Sequence, residues 1–314
     1  MSEAPFPVAP AHRPRPRLGY LMAAVAAVLW GINGGVSKTI LSTGLPSDRL
    51  AQLRSLGAAL SLVAILAIAA PGRLRLTRRE LPYVVTFGIA GLAFVQWFYF
   101  LAIHRLAIGV ALLLEYLAPL LVALWARAVY KETVRRRIWV ALGLALAGLA
   151  LIVNVFGGAS LSTAGVLFAL AGAFAYATYV LLAEHVVGNR DPVSLLAWGF
   201  LFASVFWAVL DPWWSFPAQL LTESTSLHGN LHAWHLPVWL LAVVMIAVGT
   251  VAPFFLLISA LRHLPATRVG IVAMLEPVVG AVVGWAWLAE SLGGSQLVGA
   301  GVVLAAIGLA QTAR

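Results

Sequence analysis

Glu115 and Glu276 are carboxylates inside long apolar runs, and each has a proline close by: Pro119 follows Glu115, and Pro277 adjoins Glu276. Two cations, Lys38 and Arg54, lie in equally apolar surroundings nearer the N-terminus. A charge at the centre of a bilayer costs about 2.5–3.5 kcal/mol on insertion scales, so such residues face the protein interior and often mark a pathway. Together these four can do one kind of chemistry. The cations can hold a carboxylate, and Glu115 can receive an amine or a proton. The alternatives are a fixed structural ion pair, a folding role for Arg54, and a Lys38 that reaches the outer surface. Proline adds a second polar element, because it lacks the amide that would bond the carbonyl four residues earlier. Pro119 thereby frees the carbonyl of Glu115 itself, Pro277 that of Ala273, and Pro253 is a third such position. Freed carbonyls in a membrane must be buried in protein or face a wet cavity. A packing kink beside an uncharged glutamate is the other reading.

Further candidates share those stretches. Trp30, Asn33 and Ser37, with Gly34 and Lys38, recur at steps of three and four and so lie along one stripe of a helix. Trp30, Trp97, Tyr116 and Tyr176 are cavity aromatics able to stack a planar or apolar group, and Gln96 is either a ligand contact or an interhelical hydrogen bond. Trp139, Trp213, Trp214 and Trp239 read as anchors at the membrane surface. Gly280 and Gly284 read as close helix packing. His228, His232 and His235 have a spacing that would suit a metal on a helix, but Gly229 and Asn230 interrupt it, and no metal site is expected.

The surroundings follow from composition. Of 314 residues, 62% are hydrophobic and 10% charged, against about 45–50% and about 25% in soluble domains. Apolar runs at 18–41, 48–70, 81–103, 106–129, 137–156, 163–185, 193–213, 237–260, 266–288 and 296–312 predict ten transmembrane helices, each near the roughly 20 residues a span needs. Residues 1–17, rich in Pro and Arg, read as a disordered basic segment rather than a cleaved leader. The longest connection, 214–236, reads as a short surface helix. All the basic residues except Lys38, Arg49, Arg54 and Arg105 fall on alternate connections together with the two termini, which predicts both termini in the cytoplasm. The net charge of +9 therefore encodes orientation, and no nucleic-acid partner is expected. With no cysteine, disulfides and thiolate metal sites are excluded. On this topology Lys38 and Arg54 sit in the outer half of neighbouring helices, and Glu115 lies about 12 Å inward from the outer end of the fourth, so a Lys38–Glu115 or Arg54–Glu115 pair is compatible in depth.

The chain is also duplicated. Pro119, Glu132 and Gly143 recur as Pro277, Glu290 and Gly301, with Leu117/Leu275, Leu146/Leu304 and Ala147/Ala305 identical in the same register. Gly19 to Trp30 likewise aligns with Gly165 to Tyr176. Repeats at 18–156 and 163–312 hold five spans each, an odd number, so the second must enter from the opposite face. The predicted fold is an all-α integral membrane protein of two inverted five-helix repeats, which supplies the two mirrored packings that alternating access requires.

Several of these residues form a pattern that resembles the drug/metabolite transporter superfamily, specifically its EamA-type ten-helix exporters. They are Leu29-Trp30-Gly31-Ile32-Asn33 with Lys38, Arg54 after Leu53, and the two prolines each followed by Glu132 or Glu290. The likeness extends from Leu18 to Thr312. It implies export of small metabolites, often amino acids, across a bacterial plasma membrane, with a small-molecule substrate and membrane lipids as partners, no cofactor, and a homodimer as a further option. Sugar-phosphate and nucleotide-sugar carriers share the fold. An intramembrane enzyme acting on lipids is the rival from another class, but the carboxylates are scattered and no nucleophile–base constellation appears, so no catalytic residue is assigned.

Overall fold

In a computed structural model of the protein, the residues described are 14–106, 108–153, 162–187 and 190–312. Ten long helices run through them: α1 (Pro16–Leu41), α2 (Ser47–Ala69), α3 (Leu81–Ile103), α4 (Val110–Ala128), α5 (Arg136–Ile152), α6 (Thr163–Val187), α7 (Pro192–Leu210), α8 (Val238–Ala260), α9 (Ala266–Ala286) and α10 (Gly294–Thr312). Among the described residues, nine are long and apolar enough to cross a bilayer. The tenth, α5, has 17 residues and ends beside residues 154–161, which are not described. The expectation for the N-terminal segment likewise falls outside the described residues as far as residue 13. In lipid every backbone N–H and C=O needs an internal partner, which is why apolar runs of this length become helices. Proline at the first turns of α1 and α7 and the Asp191 carboxylate accepting from the Ser194 N–H (3.1 Å) start two of them cleanly. Gly44, at φ +89°, closes the tight turn between α1 and α2.

The helices pair across the two halves. α1 packs on α8 and α9; α6 packs on α3 and α4; α2 pairs with α7, α5 with α10, and α4 with α9. Each partnership maps onto another, or onto itself, when the halves are exchanged, as an inverted repeat requires. Close contacts repeat in the same way. A Cβ on Gly19 would lie 2.7 Å from Leu264 Cγ, and one on Gly165 would lie 2.7 Å from Leu106 Cγ. The α5–α10 crossing is self-paired: a Cβ on Gly148 would meet Gly299 O at 2.7 Å, and one on Gly299 would meet Gly148 O at 2.5 Å. Gly148→Val is therefore expected to overpack this crossing and cost about 1–3 kcal/mol, seen as a lower melting temperature in detergent. An unchanged melt would show that the two helices are not in register there.

Helices α3 and α8 share an irregularity. Each contains a π-helical stretch, Phe87–Ala93 and Ala247–Val251, and the two end at positions related by the offset that carries Pro119 to Pro277. Pro253, buried just after the second, has no proline counterpart in α3, where Val95 stands at the matching position. The bulge is a property of the repeat, and the proline only accompanies it. Asn33 packs on the α8 bulge at Gly249, where any side chain would overlap its amide.

The α2–α7 pair is clasped at both ends. At the start of α2, Arg49 donates to Gln52 Oε1 (2.9 Å), Pro212 O (3.1 Å) and Ser215 Oγ (2.6 Å), and Gln52 donates to Asp211 O. At the start of α7, Arg190 donates to Glu80 Oε1 (2.9 Å) and Ser194 Oγ (2.8 Å) and reaches Arg75 O (3.2 Å), while Trp198 Nε1 donates to Leu74 O (3.1 Å). In each clasp, the N-terminal turn of one helix grips the loop that leaves the other.

The 214–236 connection corrects the expected surface helix. It holds short 3₁₀ turns (Trp213–Ser215, Ala218–Thr222, Gly229–Leu231) and a two-stranded hairpin of β1 (Ser224–Ser226) and β2 (His235–Pro237). Pro217 and Pro237 deny helical hydrogen bonds, and the backbone turns at His228 (φ 62°) and Gly229 (φ 49°).

Candidate functional site

The two prolines break their helices at matching places. In α4 the α-helical hydrogen bonding stops at Glu115 and resumes at Ala118; in α9 it stops at Ala273 and resumes at Leu275. The breaks lie against each other, with Pro119 Cβ 3.0 Å from where a Cβ on Gly270 would be. Each proline lacks the N–H that would bond the carbonyl one turn earlier, so the chain unwinds there and turns adjacent side chains inward. Tyr116 and Glu276 meet at this junction: Tyr116 Oη donates to Glu276 Oε2 at 2.8 Å.

Other groups gather around that bond from three more helices. Arg54, on α2, interacts electrostatically with Glu276, as does Glu115 on α4. Tyr99 on α3 and Tyr176 on α6 both sense the Glu115 and Glu276 carboxylates. Arg54, Tyr99, Glu115, Tyr176 and Glu276 are each only half-buried, although all sit within spans and are surrounded by protein, whereas Tyr116 is 4% exposed. The Arg54 Nε is buried and makes no hydrogen bond, and the Tyr179 hydroxyl is in the same condition. An aromatic file leads away from the carboxylates: Tyr116 to Tyr176 (6.5 Å between ring centroids), Tyr176 to Tyr179 (6.0 Å), Tyr179 to Phe254 (5.8 Å) and Phe254 to Trp30 (5.0 Å).

The structure thus brings together Arg54, Glu115, Tyr116, Tyr176 and Glu276, and joins Trp30 to them through rings. It sets other sequence candidates apart. Lys38 does not pair with Glu115. Its ammonium forms an ion pair with Glu290 in the α9–α10 turn, with 62% of its side chain exposed, because a long flexible stem carries the charge to the rim. The cation facing the carboxylates is Arg54, and its electrostatic partner is Glu276 rather than Glu115. Asn33 is buried on the α8 bulge with its Oδ1 unpaired. Gln96 donates to Leu92 O of its own helix (3.1 Å), and Trp97 joins Phe94, Phe98 and Phe206 in a separate aromatic group. Gly280 has open space before it; Gly284 makes room for the Glu290 carboxylate rather than for a helix. The three loop histidines disperse, His228 to Ser42 Oγ (2.7 Å), His232 to Gly229 O (2.9 Å) and His235 to Ala233 O (3.4 Å). Tyr99 and Tyr179 are cluster members that sequence reasoning missed. Tyr179 stands one helical step beyond Tyr176, which is the only local signal for it.

This overall arrangement of helices is found in a solved structure. A solved structure titled "Crystal structure of protein" superposes with a TM-score of 0.74 at 19% identity, over 94% of this chain and 98% of that one, which establishes the fold. The threonine/homoserine exporter RhtA of Escherichia coli (strain K12) is 26% identical over 287 residues, covering 91% of this chain and 88% of the relative. An uncharacterized transporter of Bacillus subtilis (strain 168), YwfM, is 25% identical over 290 residues, 90% of each chain. The EamA-like transporter family pattern matches twice, at residues 17–154 and 163–312. With both repeats matched and nearly the whole chain spanned, the protein is a member of the EamA-like transporter family.

Proposed function

We propose that this membrane protein exports a small zwitterionic metabolite, an amino acid in the first instance, across the plasma membrane by alternating access, with both termini in the cytoplasm. The observation that carries the reading is the Tyr116–Glu276 hydrogen bond where two broken, repeat-related helices meet, with Arg54 and Glu115 beside it. Two carboxylates lie beside a single guanidinium, which is partnered with Glu276 and leaves Glu115 without a counter-charge. A bare charge in a low-dielectric interior is costly unless paired, so an ammonium group or a proton balances the site. Arg54 has no hydrogen-bonded partner at Nε and offers a planar fork to a carboxylate. A ligand with one group of each sign satisfies both ends, and Tyr99, Tyr176 and Trp30 offer ring faces to its remainder. RhtA, named for export of threonine and homoserine, makes such compounds the first to test.

The sugar-phosphate alternative fits less well, because a doubly charged phosphate would meet two carboxylates and a single arginine. The deciding experiment is counterflow in proteoliposomes with a panel of radiolabelled amino acids, their amides and a sugar phosphate. Arg54→Met is expected to lower counterflow of amino acids about tenfold or more relative to the corresponding amides, in keeping with loss of a charge-assisted hydrogen bond. Equal loss for both classes would remove the carboxylate clamp.

A further inference from the structure

The end of the bundle where α1 and α9 finish carries contacts that no substrate role accounts for. Lys38, in the last turn of α1, is paired with Glu290, which the chain brings back over α9: the Glu290 N–H donates to Gly284 O (2.9 Å), and a Cβ on Gly284 would stand 2.5 Å from Glu290 Oε2. Gly284 is what lets that carboxylate reach Lys38. The 224–237 hairpin lies across the same two helices. On the α1 side His228 Nε2 meets Ser42 Oγ at 2.7 Å. On the α9 side Asn230 donates from its backbone to Trp287 O (2.8 Å) and from its amide to Ala286 O (3.1 Å) and Trp285 O (3.3 Å), and Trp287 Nε1 donates to Leu227 O (2.8 Å). The last carbonyls of α9, which a helix end leaves unpaired, are thus capped by a loop from elsewhere in the chain.

The repeat supplies an internal comparison. Exchanging the halves carries Lys38 onto Glu184 and Glu290 onto Glu132. At that end the corresponding groups are two carboxylates that repel, Glu184 accepts instead from the Ala266 N–H (2.7 Å), and the α2–α3 connection, the counterpart of the loop that carries the hairpin, holds a 3₁₀ turn (Pro71–Leu74) and no strand. One end therefore carries a cross-helix ion pair and a strap, and its mirror position carries like charges.

We infer that the Lys38–Glu290 pair and the 224–237 hairpin form a releasable closure over the α1–α9 end of the passage, the end that the distribution of basic residues places outside; this rests on the transporter reading. Magnitudes fix the division of labour. An ion pair exposed to this degree is worth at most about fivefold in an equilibrium, so the ammonium sets register while the hairpin hydrogen bonds hold the two helices together. A closure this weak can open in every cycle.

The chain has no cysteine, so a reporter can be placed without background. With Tyr176→Cys as reporter in proteoliposomes, labelling by a membrane-impermeant maleimide from the α1–α9 side is expected to rise more than about fivefold in Lys38→Glu, where attraction becomes repulsion. The charge-swapped Lys38→Glu/Glu290→Lys is expected to return it to the parent rate. Asn230→Ala should raise labelling as well. In a second background, a Lys38→Cys/Glu290→Cys disulfide should stop labelling, and reduction should restore it. Parent-rate labelling in Lys38→Glu, or undiminished labelling in the cross-linked protein, would overturn the closure. Labelling reads opening whatever is carried, so failure of every amino acid in the counterflow panel would refute the substrate reading and leave this result standing.

Discussion

Glu276→Gln is expected to reduce counterflow of an accepted amino acid at least about 30-fold, the lower end of what truncating one member of a buried, hydrogen-bonded charge pair costs. Glutamine keeps the shape and can still accept from Tyr116, so the loss reports the charge that faces Arg54 and a substrate ammonium. Glu115→Gln should fall in the same range with normal membrane abundance, whereas Tyr116→Phe, which leaves both carboxylates in place, should lose less. Normal counterflow with normal abundance in either glutamine variant would assign that carboxylate to structure. The comparison of the two also separates their roles. Glu276 has the tyrosine and Arg54 as partners and Glu115 has neither, so Glu115 is the freer to exchange its counter-charge.

The second large effect concerns stability. Arg190 and Glu80 are 7% and 5% exposed, and their contact joins the first half of the chain to the second. Arg190→Ala strands a buried carboxylate and is expected to cost about 3–5 kcal/mol, read as a drop in melting temperature in detergent. Replacing both partners, as Arg190→Met/Glu80→Leu, should recover most of that, since well-packed apolar groups substitute for a buried pair at little cost. A double variant no better than the single one would show that the carbonyl contacts of Arg190 matter more than its salt bridge. Acid should act at the same place. Burial alone would raise the Glu80 carboxyl, but hydrogen bonds from the Thr77 N–H and hydroxyl, with the Arg190 guanidinium, more than offset it and hold it below the ordinary range. Its contribution is therefore fully present above about pH 4.3, the unfolded value, and is lost as the pH falls through the lower, folded one. Glu80→Gln should flatten that part of the melting profile.

Much of this fold is legible in the chain because lipid imposes one rule: backbone polar groups must be satisfied within each segment. Apolar runs then define helices, and Pro119/Pro277 with Glu132/Glu290 reveal the duplication. The site is only half legible, for a geometric reason. Depth can be counted along a helix, so Glu115, Tyr116 and Glu276 could be placed at similar levels. Azimuth cannot, so Lys38 looked as good a partner for Glu115 as Arg54 did. Its long stem and the return of Glu290 over Gly284 decide the matter, and neither leaves a mark in a linear reading. Arg190 misled in the opposite sense. It counts as an orientation charge by position, yet it is the buried centre of a clasp. The hairpin at 224–237 was hidden because its stability comes from the helix ends it covers rather than from its own three-residue strands.

The exchange of partners between halves has a consequence for how the protein is made. α1 enters the membrane first, but the surfaces it needs are on α8 and α9, about 200 residues downstream at a synthesis rate of about 5–20 residues per second. For an interval on the order of 10–50 s, the nascent α1 stands in lipid with the Asn33 amide and the Lys38 ammonium lacking their eventual neighbours. Truncated chains ending before α8 should therefore be recognised as incomplete and degraded, and the same two polar side chains that finish the mature protein would serve as the label of an unfinished one.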